Sequence, residues 1–215
     1  MKNGLFFNGG GLNFIWYLGL INSIDKTYLE NYSFYGISGG AISIALYLCK
    51  IDLVQIFDNF LKIKKNDEFN LKYILNNLDK LLYDVLPDNC HLLCKNKLNI
   101  IYWKIGYGNQ IINNFTSKKH LISSLINTSK LPFTLKNIKE IYNNLIMDPL
   151  FINLNNINLD CDNILQIGFT IDKNCSPYDS FYIYNDFKEY IKKYYYGYNF
   201  GLENIIYENN IIKLK

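Results

Sequence analysis

The sequence of 215 residues contains no arginine, only two histidines, and no uninterrupted apolar run of the roughly 18 residues that a membrane-spanning helix requires. Its 22 lysines carry all of the basic side-chain charge, and the formal net charge is only +3. A nucleic-acid-binding protein usually has a denser basic face, in which arginine contacts phosphates and bases. We therefore expect neither a membrane-spanning helix nor a nucleic-acid partner.

Cysteine is sparse and unpatterned. The five cysteines form an odd-numbered set without a repeated spacing, which favours free thiols in a reducing compartment. One segment, CHLLC at 90–94, brings Cys90, His91 and Cys94 close enough in sequence to share a metal. Structural zinc usually needs a second ligand pair at a matching spacing, which this chain lacks. Buried thiols are therefore the favoured interpretation, and the predicted location is cytoplasmic.

Two strand–turn–helix units fill the first fifty residues. GLFFN at 4–8 predicts a buried strand, followed by the Gly9–Gly11 turn and a helix. SFYGI at 33–37, SGG and then AISIALYLCK repeat this order. Such a repeat predicts parallel strands whose turns meet at the carboxyl edge of the sheet, where α/β folds bind ligands. We predict an α/β fold in which residues 1–215 form a single domain.

Helical or alternating patterns divide the remaining chain into further elements. The predicted elements are helices over 52–65, 68–86 and 117–127, a hairpin of strands 98–105 and 109–115, core strands over 144–148 and 163–171, and a tyrosine-rich amphipathic helix over about 186–208 that Gly197 and Gly201 interrupt.

Ser38 stands in a G-x-S-x-G pattern, Gly36 to Gly40, between a predicted strand and a predicted helix. This context is typical of a nucleophile elbow, a sharp turn in which a Cβ at position 36 or 40 would collide with neighbouring backbone. A serine that merely caps the helix fits the same five residues. The pattern by itself leaves catalysis and capping open.

Acyl transfer by Ser38 would require a proton acceptor and donors for an oxyanion. The α/β-hydrolase order of Ser, acid and His is not met by His91 and His120, which we expect to be surface or structural residues. A carboxylate must then act as the base. The amides of Gly9, Gly10 and Gly11 can stabilise an oxyanion, although three glycines can also simply form a tight turn. A dinucleotide-binding loop is excluded because Phe14 occupies the third glycine position.

These motifs resemble those of the patatin-like phospholipases. NGGGLN at 8–13 is similar to the glycine-rich oxyanion loop of that family, and GISGGA at 36–41 is similar to its serine elbow. The segment 128–154 resembles the family region that leads to the catalytic Asp, which makes Asp148 the candidate. The resemblance implies a three-layer α/β/α fold with a mainly parallel sheet and a Ser38–Asp148 dyad. It also implies that Gly9, Gly10, Gly11 and Gly39 surround the oxyanion.

The implied activity is hydrolysis of a lipid acyl ester, of the phospholipase A or lysophospholipase type, without a metal or organic cofactor. Two positions depart from the family pattern: Pro149 replaces the glycine after the Asp, and Asn13 replaces a basic residue after the loop. Pro149 is the best support for one alternative, a catalytically silent lipid- or protein-binding module. A second alternative is an acyltransferase, which would share the acyl-enzyme but exclude water. Asp160 and Asp162 are second-choice bases. Lysine-rich helices suggest peripheral contact with an anionic membrane.

Overall fold

A computed structural model of the chain describes residues 2–63, 77–104, 106–130, 146–149, 157–168, 187–208 and 211–215. Its strands are β1 (Asn3–Phe7), β2 (Tyr32–Gly36), β3 (Leu98–Lys104), β4 (Gly108–Ile112), β5 (Ile146–Met147), β6 (Asn163–Ile167), β7 (Ile205–Glu208) and β8 (Ile211–Leu214). The central sheet has the order β4-β3-β2-β1-β6, and β5 pairs with β3. Strands β7 and β8 form a separate hairpin.

The centre of the sheet is parallel, as the doubled unit predicts. Phe7 at the end of β1 lies beside Gly36 of β2 on one side and Ile167 of β6 on the other. Strand β2 is also parallel to β3, with Gly36 opposite Ile100. Only β4 and β5 are antiparallel to β3 in the described part of the chain. The turns that follow β1 and β2 therefore lie side by side at the carboxyl edge.

Helices flank this sheet, and the predicted three-layer α/β/α arrangement is confirmed. The described helices are α1 (Phe14–Ser23), α2 (Lys26–Leu29), α3 (Gly39–Leu48), α4 (Leu53–Ile63), α5 (Leu78–Val85), α6 (Cys90–Cys94), α7 (Lys118–Thr128) and α8 (Phe187–Asn204). A 3-10 turn over Gly11–Asn13 precedes α1. No described helix is both long and apolar enough to cross a bilayer.

The two faces of the sheet are read directly from the period-2 alternation of the strands. Leu5 and Phe7 of β1 belong to the large core on the side of α1 and α3. Phe6 between them points to the other face, where it forms a smaller cluster with Tyr35, Ile37 and Ile101. Apolar residues from 157–161 pack against that second cluster. Burial on both faces explains why β1 is continuously apolar rather than alternating.

The prediction that Gly197 and Gly201 interrupt the last helix is wrong. Helix α8 continues through both glycines. Glycine is present at these positions because the backbone of α8 approaches α1 too closely for a Cβ. A Cβ on Gly197 would overlap the carbonyl group of Trp16, and one on Gly201 would overlap the Ser23 side chain. The predicted helix also extends too far, since residues 205–208 form strand β7. The sequence analysis missed the hairpin that follows α8.

Most other elements agree with the predictions within a few residues. The hairpin is confirmed, and so is the helix over 117–127, which the Ser117 side chain caps by accepting from the His120 amide at 3.1 Å. Part of the predicted helix 68–86 is present as α5. Residues 68–76 of it, residues 64–65 of the predicted helix 52–65, and residues 144–145 and 169–171 of two predicted strands lie outside the described residues.

Candidate active site

Ser38 occupies the turn between β2 and α3 in a backbone conformation that L-residues rarely adopt, with φ of 51° and ψ of −126°. Its side chain makes no capping hydrogen bond to α3, so the capping interpretation is wrong. The residue is 6% exposed. A non-glycine residue held at positive φ indicates that the surrounding structure fixes the turn, which is the arrangement expected of a nucleophile elbow.

The glycines of the turn are required by close backbone contacts, as predicted. A Cβ on Gly36 would lie 2.6 Å from the Cα of Ala41, and a Cβ on Gly40 would lie 2.5 Å from the carbonyl oxygen of Phe7. Gly39 packs directly against the backbone of Gly11, which a Cβ would overlap. The elbow and the glycine-rich loop are therefore in backbone-to-backbone contact at the carboxyl edge of the sheet.

Asp148 lies at the same edge of the sheet, but it follows an antiparallel strand rather than a parallel one. It follows β5, which pairs with Trp103 and Lys104 of β3 beyond the point where β2 ends. Its backbone N–H donates to the carbonyl oxygen of Lys130 at 2.8 Å. A Cβ placed on Gly9 would lie 3.7 Å from Ser38 Cβ and 3.9 Å from Asp148 Oδ1. Loop, serine and aspartate thus surround one point.

The Asp148 carboxyl group is buried and poorly compensated. It is 5% exposed, and its Oδ1 atom has no hydrogen-bond partner among the described residues. Burial raises the pKa of Asp148 to about 7, because a charged carboxylate is costly away from water, whereas hydrogen bonding by the Ser38 hydroxyl lowers the pKa. A pKa near neutrality suits a general base much better than the ordinary value near 4.

The glycine-rich loop leaves main-chain donors beside these two side chains. The Gly10 carbonyl accepts from the Asn13 amide at 2.8 Å, which closes the 3-10 turn. The N–H groups of Gly9, Gly10 and Gly11 have no main-chain acceptor in the part of the chain described. Gly39 is the first residue of α3, where an N–H group has no acceptor within its own helix. These are the donors that an oxyanion requires.

The second-choice bases lie at the opposite edge of the sheet. Asp162 accepts from the Lys2 amide at 2.7 Å, and Asp160 forms an ion pair with the Lys2 ammonium group. Both aspartates precede β6, whereas Ser38 follows β2, so the length of a five-residue strand, about 16 Å, separates them. Neither aspartate lies near Ser38.

Neither histidine lies near Ser38. His120 is in the first turn of α7, where its Nδ1 accepts from the Thr116 amide at 3.2 Å. Eight residues of helix, about 12 Å, separate it from Thr128 at the end that contacts Ser38. His91 lies in α6, which immediately precedes β3 and is therefore at the amino end of the sheet, whereas Ser38 follows the carboxyl end of the parallel strand β2. The sequence-based expectation that the histidines are structural or surface residues agrees with these positions.

The cysteines of CHLLC are buried, free thiols, as expected. Cys90 and Cys94 are fully buried, and burial raises the pKa of Cys90 to about 11. Cys49, at the end of α3, is also buried. Across the described residues, no three His, Cys, Asp or Glu side chains are arranged to hold a metal ion. Cys175 lies outside the described residues.

One residue of the site was missed by the sequence analysis. Thr128, the last residue of α7, is fully buried, and its Oγ1 accepts from the Ser38 backbone N–H at 3.0 Å. Thr128 is the first residue of the segment 128–154 that resembles the family, but that resemblance assigned a role only to Asp148. Thr128 reaches Ser38 through the packing of α7 against the sheet, which local sequence does not reveal.

Comparison with known proteins agrees with this geometry. A family model described as patatin-like phospholipase matches residues 5–196. The chain belongs to the patatin-like phospholipase family. This is a family of lipid acyl hydrolases and acyltransferases. The chain is also similar to a protein from Mus musculus, omega-hydroxyceramide transacylase, with 25% identity over 185 residues. The match covers 80% of this chain and 30% of that relative, so this patatin-like chain spans about a third of its relative's length.

Proposed function

We propose that this patatin-like chain is a serine lipid acyl hydrolase of the phospholipase A or lysophospholipase type. The observation that carries the proposal is the pairing of a buried, largely uncompensated Asp148 carboxylate with Ser38 in its strained turn. Activation of a serine hydroxyl requires a base within reach and with a suitable pKa. Asp148 meets the second condition, since its pKa is raised to about 7.

In the proposed mechanism, Asp148 accepts the proton of Ser38 as Oγ attacks the acyl carbonyl carbon. The carbonyl oxygen becomes an oxyanion and receives hydrogen bonds from the N–H groups of Gly9, Gly10, Gly11 and Gly39. The protonated Asp148 then gives its proton to the leaving alcohol as the ester bond breaks. Water attacks the acyl-enzyme with Asp148 again as base, which releases the fatty acid and restores Ser38.

The two departures from the family pattern do not remove these groups. Pro149 is buried and has no N–H, yet the backbone of Asp148 keeps its hydrogen bond to Lys130. Asn13 is 1% exposed and lies in the turn that shapes the glycine loop. A catalytically silent module is the outcome expected if Pro149 disturbs the base in solution.

The substrate class and setting are part of the same proposal. We expect a lipid acyl ester, met at the surface of a membrane that the protein contacts peripherally, within the cytoplasm. The family membership supports a lipid substrate, and the excess of lysine supports contact with anionic lipid. All 215 residues are expected to act as a single domain, without a metal or organic cofactor.

An acyltransferase is the second candidate, favoured by the transacylase name of the mouse relative. Both activities share the acyl-enzyme and differ in whether water or a lipid alcohol removes the acyl group. The ratio of free fatty acid to new ester, measured with a labelled phospholipid and a long-chain alcohol acceptor, distinguishes them. Excess fatty acid supports the hydrolase, and excess new ester supports the transferase.

A fluorophosphonate probe tests the proposal directly, because it forms an adduct only with an activated serine. We expect the folded protein to be labelled at Ser38, as located by peptide mass spectrometry, and Ser38→Ala to remain unlabelled. Ser43→Ala is a matched control, since Ser43 is a buried serine in the first half of α3 that donates to the Gly40 carbonyl. A folded wild-type protein that is not labelled would indicate the silent module.

A further inference from the structure

The hydrogen bonding of β3 is interrupted beside Ser38. Strand β2 pairs with β3 only as far as Ile100, and β5 takes over at Trp103. Strand β4 pairs with the other side of β3, so β5 pairs with the same side of β3 as β2 does, further along the strand. The carbonyl group of Ile101 falls in the gap between the two strands. A buried carbonyl in such a position needs another donor.

The Thr128 hydroxyl fills this gap and contacts the elbow at the same time. Its Oγ1 donates to the carbonyl oxygen of Ile101 and accepts from the Ser38 N–H at 3.0 Å. All three residues are buried. A hydroxyl oxygen is suited to this bridge because one atom both donates and accepts. The Ser38 amide is therefore bound to Thr128, which leaves oxyanion binding to the glycine loop and Gly39.

The same end of α7 also holds the aspartate. Two residues after Thr128, the carbonyl oxygen of Lys130 accepts from the Asp148 N–H at 2.8 Å. The segment Thr128–Lys130 is thus hydrogen-bonded to the main chain of both Ser38 and Asp148. Because the two residues lie 110 positions apart in sequence, their relative placement depends on such a shared contact.

We propose that Thr128 is a positioning residue for Ser38, and that the end of α7 fixes the nucleophile relative to its base. This inference rests on the proposed function. It follows from the bridge between Ile101 and Ser38, which holds the elbow in its positive-φ conformation. The methyl group of threonine restricts the rotation about χ1 that would otherwise move the hydroxyl out of the bridge.

Three variants test the proposal. Thr128→Val keeps the shape but removes the bridge, and we expect kcat for ester hydrolysis to fall on the order of 10- to 100-fold, with KM changed by less than about 2-fold. Thr128→Ser keeps the hydroxyl, and we expect activity within about 3-fold of wild type. Ser124→Ala, which removes a buried hydroxyl that donates to the His120 carbonyl on the same helix, is the control.

The pH profile separates positioning from a general loss of stability. Hydrogen bonding by Ser38 lowers the pKa of Asp148, so a displaced Ser38 in Thr128→Val should shift the acidic limb of kcat/KM to higher pH. A variant that is merely less stable would lower activity without moving this limb. Wild-type activity and an unmoved limb in folded Thr128→Val would overturn the inference while leaving the proposed function intact.

Hydrogen exchange of the wild-type protein keeps the test independent of how well a variant folds. The Ser38 amide, buried and bonded to Thr128, should exchange far more slowly than the amide of Tyr107, which donates to the Lys104 carbonyl in the β3–β4 turn but belongs to a residue that is 70% exposed. Fast exchange at Ser38 would overturn the bridge. Absence of fluorophosphonate labelling in wild type would instead overturn the proposed function and this inference with it.

Discussion

The two edges of the central sheet each carry aspartates, and the environments of those aspartates are opposite. At the amino edge, Asp160 and Asp162 are exposed and bound to Lys2. At the carboxyl edge, Asp148 is buried, forms no ion pair with a basic side chain of the described residues, and has a pKa raised to about 7. Burial and position, rather than residue type, therefore make a carboxylate a candidate base.

The largest expected effect is that of Ser38→Ala. Removing the nucleophile should lower kcat for a chromogenic ester by about 10⁴-fold or more, because the remaining oxyanion donors cannot form an acyl-enzyme. Initial rates measured at saturating substrate provide the test. Ser43→Ala should retain wild-type turnover. Substantial activity in folded Ser38→Ala would show that Ser38 is not the nucleophile.

Asp148→Asn should cause the next largest loss. The amide cannot accept the Ser38 proton, so kcat should fall about 10²- to 10⁴-fold. Because Asn has nearly the same shape, the circular dichroism spectrum should be unchanged. Asp160→Asn is measured in the same assay. If it loses as much activity as Asp148→Asn, the loss does not identify Asp148 as the base.

The same substitution should stabilise the protein above neutral pH. Burial raises the pKa of Asp148 from the ordinary value near 4 to about 7, so the folded state holds an extra proton between these two pH values. Stability therefore falls as pH rises from about 4 to 7, by on the order of 4 kcal/mol for this residue. In Asp148→Asn this contribution should disappear.

Urea unfolding at pH 5 and pH 8 measures the difference. The quantity compared is the difference in free energy of unfolding between wild type and Asp148→Asn. If this difference is the same at both pH values, the burial of an ionisable Asp148 is contradicted. Asp162→Asn provides a control, because Asp162 is exposed and bound to the Lys2 amide.

The pH dependence of catalysis should show a smaller effect. Asp148 must be deprotonated to act as a base, so kcat/KM should rise about tenfold per pH unit below 7 and level off above it. With a neutral ester substrate, which does not ionise in this range, the pH profile reflects ionisation of groups on the enzyme. A profile that stays flat down to pH 5 would argue against an aspartate with a raised pKa.

The smallest effects are expected at the amino edge. Asp160→Asn and Asp162→Asn remove exposed contacts to Lys2, so activity should stay within about twofold and the melting temperature within about 2 °C of wild type. Differential scanning calorimetry and ester turnover measure both quantities. A tenfold loss of activity in either variant would show that the two edges are coupled in a way the structure does not indicate.

Local patterns predicted much of the fold. The parallel pair β1 and β2, the elbow glycines and the β3–β4 hairpin follow from residues that are neighbours in sequence, so periodicity and turn chemistry were sufficient. The failure at Gly197 has a clear physical cause. Glycine usually weakens a helix, but here it permits α8 to approach the backbone of Trp16, a contact more than 170 residues away in sequence that no local rule describes.

The sequence alone determined the strained turn at Ser38 and the glycine-rich loop, because both depend on glycines within a few positions of each other. Only the tertiary structure decided which aspartate faces that turn. Three features of the site depend on the pairing of β5 with β3 and on the packing of α7: the position of Asp148 near Ser38, the burial that raises the pKa of Asp148, and the Thr128 bridge. These arrangements bring Ser38 together with Thr128 and Asp148, which lie 90 and 110 positions further along the chain, and their energies depend on the surrounding structure rather than on neighbouring residues in the chain.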